Sequence, residues 1–282
     1  MTDAAVPNEW SGTQRTALPL WKLVAIGLVA GLLSGTFGVG GGILIVPALV
    51  LIVGMQQRAA HGTSLAAVVP ISIVGALTYL LSGHVDLGVA GLLMIGTVVG
   101  AVWGVKLLGW LSETWLRWLF VSFMFLVAAR LLFEVPDRQS QLAMTGWLVV
   151  ILIGLGLATG LLSGLLGVGG GVFMVPVMIL FLGMSDITAK GVSLLVVIPT
   201  GLIATFLSVR KKNVDLRAAA AIGIAGALTT TAGAALAFWL TPQLASILFA
   251  AFLFVIAIRM AVHALLKHKR FQQTHLKGNE DV

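Results

Sequence analysis

Cysteine is absent from this 282-residue sequence, which removes disulfides, thiol nucleophiles and cysteine-held metals from consideration. Charge is scarce too: Asp, Glu, Lys and Arg make up 10% of the residues, against about 25% in soluble domains. Ten acidic residues are present, and none falls in the middle of an apolar run. A chain without mid-span carboxylates lacks the usual proton relays of pumps and the oxygen ligands that hard cations require. With five histidines and no paired acids, nothing suggests hydrolase, metal-ligand or nucleotide-phosphate chemistry. Neither enzymatic activity nor a metal or other cofactor is expected.

What is abundant is apolar surface: 59% of residues are hydrophobic and the mean hydropathy is +1.08. Crossing the hydrocarbon takes about 20 apolar residues in a helix. Long segments of that kind lie at about 18–36, 62–82, 86–109, 114–133, 144–165, 191–209, 214–239 and 243–265, with shorter ones at 43–55 and 172–184. They predict an all-α polytopic membrane protein: a polar N-terminal tail (1–17), a first transmembrane repeat (18–133), a linker (134–143), a second transmembrane repeat (144–265) and a basic tail (266–282). The opening residues are polar and of mixed charge, so no cleavable leader is expected. Tryptophans 103, 110, 115 and 118, with Trp21, Trp147 and Trp239, sit at segment ends as an interfacial belt.

The long apolar stretches contain a repeat. Residues 31–70 and 160–199 align without a gap, and 21 of the 40 positions are identical. The most similar part is glycine-rich: Gly38-Val39-Gly40-Gly41-Gly42 leading to Pro47, and Gly167-Val168-Gly169-Gly170-Gly171 leading to Pro176. Each run separates a long apolar segment from one of 13 residues (43–55, 172–184), which rises only about 20 Å. The short segment cannot cross alone, so each half is expected to contain a re-entrant or broken helix pair. Non-helical backbone at that depth survives only when buried in protein or lining a wet cavity, and paired helix breaks point to a transport site. The first amides of the helix after each break have no intrahelical acceptor, and with the helix dipole they offer an anion site free of formal charge. Glycines 38, 40, 41, 42, 167, 169, 170 and 171 are therefore candidate substrate contacts, with Ser34 and Ser163 one turn before them. Close helix packing is the competing explanation for the small residues.

A second repeated string opens the next segment: Ala60-His61-Gly62-Thr63-Ser64-Leu65 and Ala189-Lys190-Gly191-Val192-Ser193-Leu194. His61, Thr63, Ser64, Lys190 and Ser193 join the candidate contacts, with helix capping as the alternative role for the serines. Arg130 and Arg259 occupy equivalent places late in their segments, where snorkelling to the interface explains them.

Loop charge bears on topology. The basic loop from Arg210 to Arg217 has an uncharged-by-Lys/Arg counterpart at 81–88, while Lys106 and Arg117 bracket a loop whose counterpart near Pro242 carries none. Charge has changed places between equivalent loops, as expected if the two halves face opposite ways. The basic loop and tail would then be cytoplasmic, and the basic patches need no nucleic-acid partner to explain them.

At these motifs the chain resembles the sulfite exporter TauE/SafE family, also called the toluene sulfonate uptake permease family. The resemblance rests on the paired G-x-G-G-G…P segments at 38–47 and 167–176, A-x-G-T-S-L at 60–65 with its echo at 189–194, and the pairs Val85-Asp86 and Val214-Asp215. It implies a bacterial-type plasma-membrane permease for sulfite, thiosulfate, sulfoacetate or a related organosulfonate, with the lipid bilayer and a small anion as partners. The sequence leaves a homo-oligomer open. Val192, where the first copy has Thr63, departs from strict equivalence of the two halves.

Overall fold

The computed structural model describes residues 19–107, scattered residues between 118 and 129, 146–166 and 169–277. All regular structure among them is helical. In the first half, α1 is Leu20–Phe37, α2 Gly42–Leu51, α3 Gln57–Leu81 and α4 Leu87–Leu107. The described residues of 118–129 are helical as well. In the second half, α5 is Gly146–Leu166, α6 Gly171–Leu182, α7 Asp186–Arg210, α8 Leu216–Trp239 and α9 Pro242–Lys277. Seven of these helices, all but α2 and α6, are long and apolar enough to span a bilayer.

Position i of the first half corresponds to i+129 in the second, and the contacts obey that rule across the halves. Helix α1 packs along α8, and its counterpart α5 along α4. Gly27 meets Ile222 and Gly31 meets Gly226; in the equivalent pair, Gly156 meets Leu93 and Gly160 meets Thr97. Ascending numbers on both members make each pair parallel. Every one of these glycines lies on backbone of the partner helix, the close approach that small residues permit inside a membrane.

The equivalent helices α3 and α7 pack on each other in the opposite sense. Gly62, near the start of α3, faces the carbonyl of Asn213 beyond the end of α7, while Gly191, near the start of α7, faces the carbonyl of His84 beyond the end of α3. Two equivalent helices running antiparallel mean that the two halves are inverted, as the exchange of loop charge suggested. The basic residues Arg210, Lys211, Lys212 and Arg217 therefore share a side with the start of α3.

Helices α2 and α6 are 10 and 12 residues long, about 15 and 18 Å. Lys22 Nζ, near the start of α1, donates to the Ile52 carbonyl at the end of α2 at 3.4 Å. The chain thus enters along α1, turns at the glycines and returns along α2 to the side it came from: a re-entrant hairpin. Pro47 and Pro176 stand inside the short helices at matching positions, and Pro70 and Pro199 inside α3 and α7. Each removes one helical hydrogen bond, orphaning the carbonyl four residues earlier, so all four helices near the centre are locally weakened.

Two expectations shift. Helices α3 and α7 begin at Gln57 and Asp186, five residues before the glycines that had marked their starts, because Gly62 and Gly191 serve packing rather than termination. Helix α9 continues through Lys277 in one piece, with its apolar window ending at Arg259. Arg259 is exposed there, as snorkelling requires; Arg130 lies outside the described residues. Among the tryptophans, Trp21, Trp103, Trp118, Trp147 and Trp239 are exposed, as an interfacial belt would be, while Trp110 and Trp115 also lie outside the described residues.

The packing yields a test. A Cβ on Gly31 would collide with the Gly226 backbone, whereas one on Gly91 meets nothing within 4 Å. Gly31→Ala is expected to lower stability by about 3 kcal/mol, the upper range for overpacking against immobile atoms. Gly91→Ala should be neutral or slightly stabilising. Thermal unfolding of the purified variants in detergent measures both.

Candidate functional site

Both glycine breaks are present, and they meet. Helix α1 ends on Gly38 (φ 72°), whose amide donates to the Ser34 carbonyl at 2.7 Å, and the chain then passes through Gly40 and Gly41 with φ of 74° and 76°. In the second half Gly169 and Gly170 adopt φ of 87° and 72°. Gly167 lies outside the described residues. A side chain at Gly41 or Gly170, the residues that precede the short helices, would be strained by this left-handed backbone. At Gly170 it would also lie 2.9 Å from Thr159 Cγ2.

The breaks touch across the pseudo-twofold axis. A Cβ on Gly171 would sit 3.0 Å from the Gly38 carbonyl oxygen and 2.9 Å from Ser193 Oγ. Gly40 and Gly169 both lie over the same two side chains, Val68 of α3 and its counterpart Val197 of α7. Those valines occupy the middle of 25-residue helices, so the junction of the breaks is at mid-depth. It is also fully enclosed: residues 34–43 and 169–172 are all buried.

The helix starts at this junction are uncapped. No side chain accepts from the first amides of α2 or α6. In α2 the backbone bonds begin at Leu44 and Ile45, both donating to the Gly41 carbonyl at 3.1 Å; in α6, Phe173 and Met174 donate to Gly170, and Gly171 donates to Gly169 at 2.9 Å. The amides of Gly42 and Ile43 in one half, and of Val172 in the other, have no backbone acceptor among the described residues. Unshared amides at a helix N-terminus carry the positive end of its dipole.

Hydroxyls supply the rest of the polarity. Ser34, Ser72, Thr159, Ser163 and Ser193 are buried, and their oxygens find no partner among the described residues. Ser72 lies beside Gly40, Thr159 and Ser163 beside Gly170, and Ser193 beside Gly171. A buried hydroxyl without a partner costs about 1–3 kcal/mol, so five such groups make this junction the candidate place for a polar ligand. Ser34, Ser163 and Ser193 are expected from the sequence. Ser72 and Thr159 are not, because a lone hydroxyl in an apolar run carries no signal. Their one clue is asymmetry, since their counterparts are Gly201 and Ala30.

The second repeated string plays a different part from the one its serines suggested. Ser64 and Ser193 lie in the second turn of their helices and cap neither. Ser64 Oγ instead donates to the Gly42 carbonyl at 3.3 Å. Thr63 Oγ1 accepts from the Asp215 amide at 2.9 Å, which commits it to the α7–α8 loop. Asp215 in turn caps α8, accepting from Arg217 and Ala218 at 3.0 Å, and Asp86 accepts from Val89 in the same way at the start of α4. The Val-Asp pairs are therefore helix caps, and the Thr63/Val192 difference concerns a loop contact. His61 is half-buried within α3.

Lys190 brings a charged side chain up to the junction. Its Cα and Cβ lie 2.5 and 2.6 Å from where a Gly38 Cβ would be, and its Nζ donates to Asp186 Oδ2 at 3.1 Å, with both side chains almost wholly buried. Asp186 escaped the sequence reading because the stretch from Gly183 to Gly191 reads as a loop, whereas it forms the first turns of α7. The D-x-x-x-K spacing, one helical turn, was the available signal. Among the described residues no cluster of three His, Cys, Asp or Glu is placed to hold a metal.

Removing one member of a buried ion pair strands the other, at a cost of about 3–5 kcal/mol. Lys190→Met is expected to lose stability on that scale, and Asp186→Asn combined with Lys190→Met to recover most of it. Unfolding midpoints of the single and double variants read this out.

Comparison with known proteins agrees with the architecture. A family model described as sulfite exporter TauE/SafE matches twice, over residues 4–131 and 152–279. The "Probable membrane transporter protein YdhB" of Bacillus subtilis is 27% identical over 183 residues, covering 63% of this chain and 74% of that protein. "Probable membrane transporter protein YunE" of the same organism is 30% identical over 184 residues, covering 56% and 66%. "Probable membrane transporter protein MJ0441" of Methanocaldococcus jannaschii is 28% identical over 172 residues, covering 57% and 61%. No solved structure matches. Matched in both of its inverted halves, the chain belongs to the sulfite exporter TauE/SafE family of membrane transporters.

Proposed function

We propose that this protein carries a small sulfur-containing oxyanion or organosulfonate, such as sulfite, thiosulfate or sulfoacetate, across the plasma membrane by alternating access around the two glycine breaks. One observation carries the reading: two uncapped helix starts meet at mid-depth, amid buried hydroxyls that have no partner. Amides and hydroxyls donate hydrogen bonds and repel no anion, and they hold it less tightly than a fixed cation would. Inversion of the halves supplies the motion, since exchanging the conformations of two inverted repeats exposes one central site to each face in turn. The weakened segments at Pro47, Pro70, Pro176 and Pro199 are placed to flex around it.

A junction whose unshared donors are amides and hydroxyls also suits a passive anion channel. Rate separates the two: a carrier saturates and turns over slowly, whereas a channel passes measurable single-channel current. Purified protein in proteoliposomes, tested with sulfite, thiosulfate, sulfoacetate, taurine and chloride, with and without ion gradients, is expected to give saturable flux of the sulfur anions. Gly41→Leu or Gly170→Leu should abolish that flux in protein that still folds and inserts. Undiminished transport by both variants would reject the site.

Charge orients the chain. Lys22, Arg58, Arg210, Lys211, Lys212 and Arg217 gather on one side, which the positive-inside rule makes cytoplasmic, and α9 returns the C-terminal tail to it. The chain has no native cysteine, so single cysteines at Asn213 and Gly83 report directly. Impermeant thiol reagent added to intact cells should label the Gly83 position and spare the Asn213 position.

A further inference from the structure

The two breaks share left-handed glycines but differ in the donors they leave free. Resting on the proposed transport reading, we propose that the anion is held mainly by the second break, through Thr159, Ser163 and Ser193 around Gly170 and Gly171, with the first break serving as the wall against which it is enclosed.

The argument is a position-by-position comparison under the offset of 129 residues. Ser34 and Ser163 correspond, are both buried and both lack partners, so they cancel. Ser64 and Ser193 correspond but differ: Ser64 spends its proton on the Gly42 carbonyl, whereas Ser193 Oγ is buried, unpartnered and next to Gly171. Thr159, whose Cγ2 lies against Gly170, carries a further buried and unpartnered hydroxyl, and its counterpart Ala30, which lies against Gly41, has none to give. Ser72 compensates only in part, for it stands beside Gly40 on the axis rather than at the start of α2. Around the start of α6 there are therefore three uncommitted hydroxyls, Thr159, Ser163 and Ser193, against one, Ser34, at the equivalent positions around the start of α2.

The first break is richer in backbone donors, through Gly42 and Ile43, while in the second the Gly171 amide is already taken by Gly169. The hydroxyls outweigh this because they rotate toward an acceptor, and because each one left alone in the interior costs more than an equivalent group in water. Three hydroxyls on one side of the ligand match three oxygens of a pyramidal or tetrahedral oxyanion. A group with a single acceptor would leave two of them unsatisfied.

The test compares symmetry-related positions. Binding of sulfite and, separately, thiosulfate is measured by calorimetry on the purified full chain in detergent, for the parent and for Ser193→Ala, Thr159→Val and Ser64→Ala. Ser193→Ala and Thr159→Val should each weaken binding about tenfold, the loss of one well-made hydrogen bond to a charged acceptor. They should leave the unfolding midpoint unchanged or raised, since each deletes an unsatisfied buried group. Ser64→Ala should stay within about twofold in affinity. Ala30→Thr, which gives the first break the hydroxyl it lacks, should tighten binding or leave it unchanged. Equal losses from Ser64→Ala and Ser193→Ala would overturn the asymmetry and leave the central site standing. Unchanged binding in every variant would overturn the hydroxyl assignment alone, and no binding of either anion by the parent would overturn both.

Discussion

An interrupted backbone in the middle of a bilayer is tolerable only when something other than lipid surrounds it. Here each interruption is covered by the other, by α3 and α7, and by the helix that leads into it. Gly171 against the Gly38 carbonyl, and Gly40 and Gly169 over Val68 and Val197, are the contacts that keep hydrocarbon away from bare peptide. Remove one break and the other loses its cover. This mutual dependence explains why the glycines come as a doubled set and why neither half could fold around its own hairpin alone.

The same dependence accounts for the exchange of partners between halves. Were α1 to pack on α4 of its own half, each half would be self-contained and the breaks would have no reason to meet. Instead α1 lies on α8 and α5 on α4, so each half's entering helix is held by a helix of the other half. Association inside lipid has little hydrophobic drive and relies on close backbone contact. The glycine ladders Gly27-Gly31-Gly35 and Gly156-Gly160 provide it, by letting one helix settle onto the peptide groups of the next. The small residues that first appeared to compete as explanations, packing or site, turn out to divide by position: those within helices pack, and those between helices open the backbone.

Much of this is legible in the residues. The repeat, the breaks, the shortness of α2 and α6 and the inversion all follow from spacing, glycine runs and the exchange of loop charge, because each is a property of many residues at once. Helix starts were less legible. Gly62 and Gly191 look like stops but sit in helices whose first turns carry Arg58 or Asp186, since a glycine facing a neighbouring carbonyl and a glycine ending a helix look identical in one dimension. The Asp186–Lys190 pair was hidden by that same error. Ser72 and Thr159 were hidden for another reason: each meets a glycine of a break well removed from it along the chain, and no local pattern reports an unpartnered hydroxyl.

A transporter must release what it binds, and that limits the chemistry of its centre. Conduction and turnover alike need sites favourable enough to enter and weak enough to leave. An unscreened ammonium in a dry junction would hold an anion by many kcal/mol, since the attraction between unit charges rises steeply as the local dielectric falls. Lys190, the cation whose stem lies against Gly38, is instead tied to Asp186 within its own helix, so its field at the junction is largely cancelled at short range. What remains are hydroxyls and amides, each contributing on the order of 1 kcal/mol net. On the proposed reading, a handful of such bonds would select an oxyanion over a neutral solute, yet each could be broken as the halves move. On that proposal the neutrality of the centre is part of how it would work, and the buried ion pair beside it would keep it neutral.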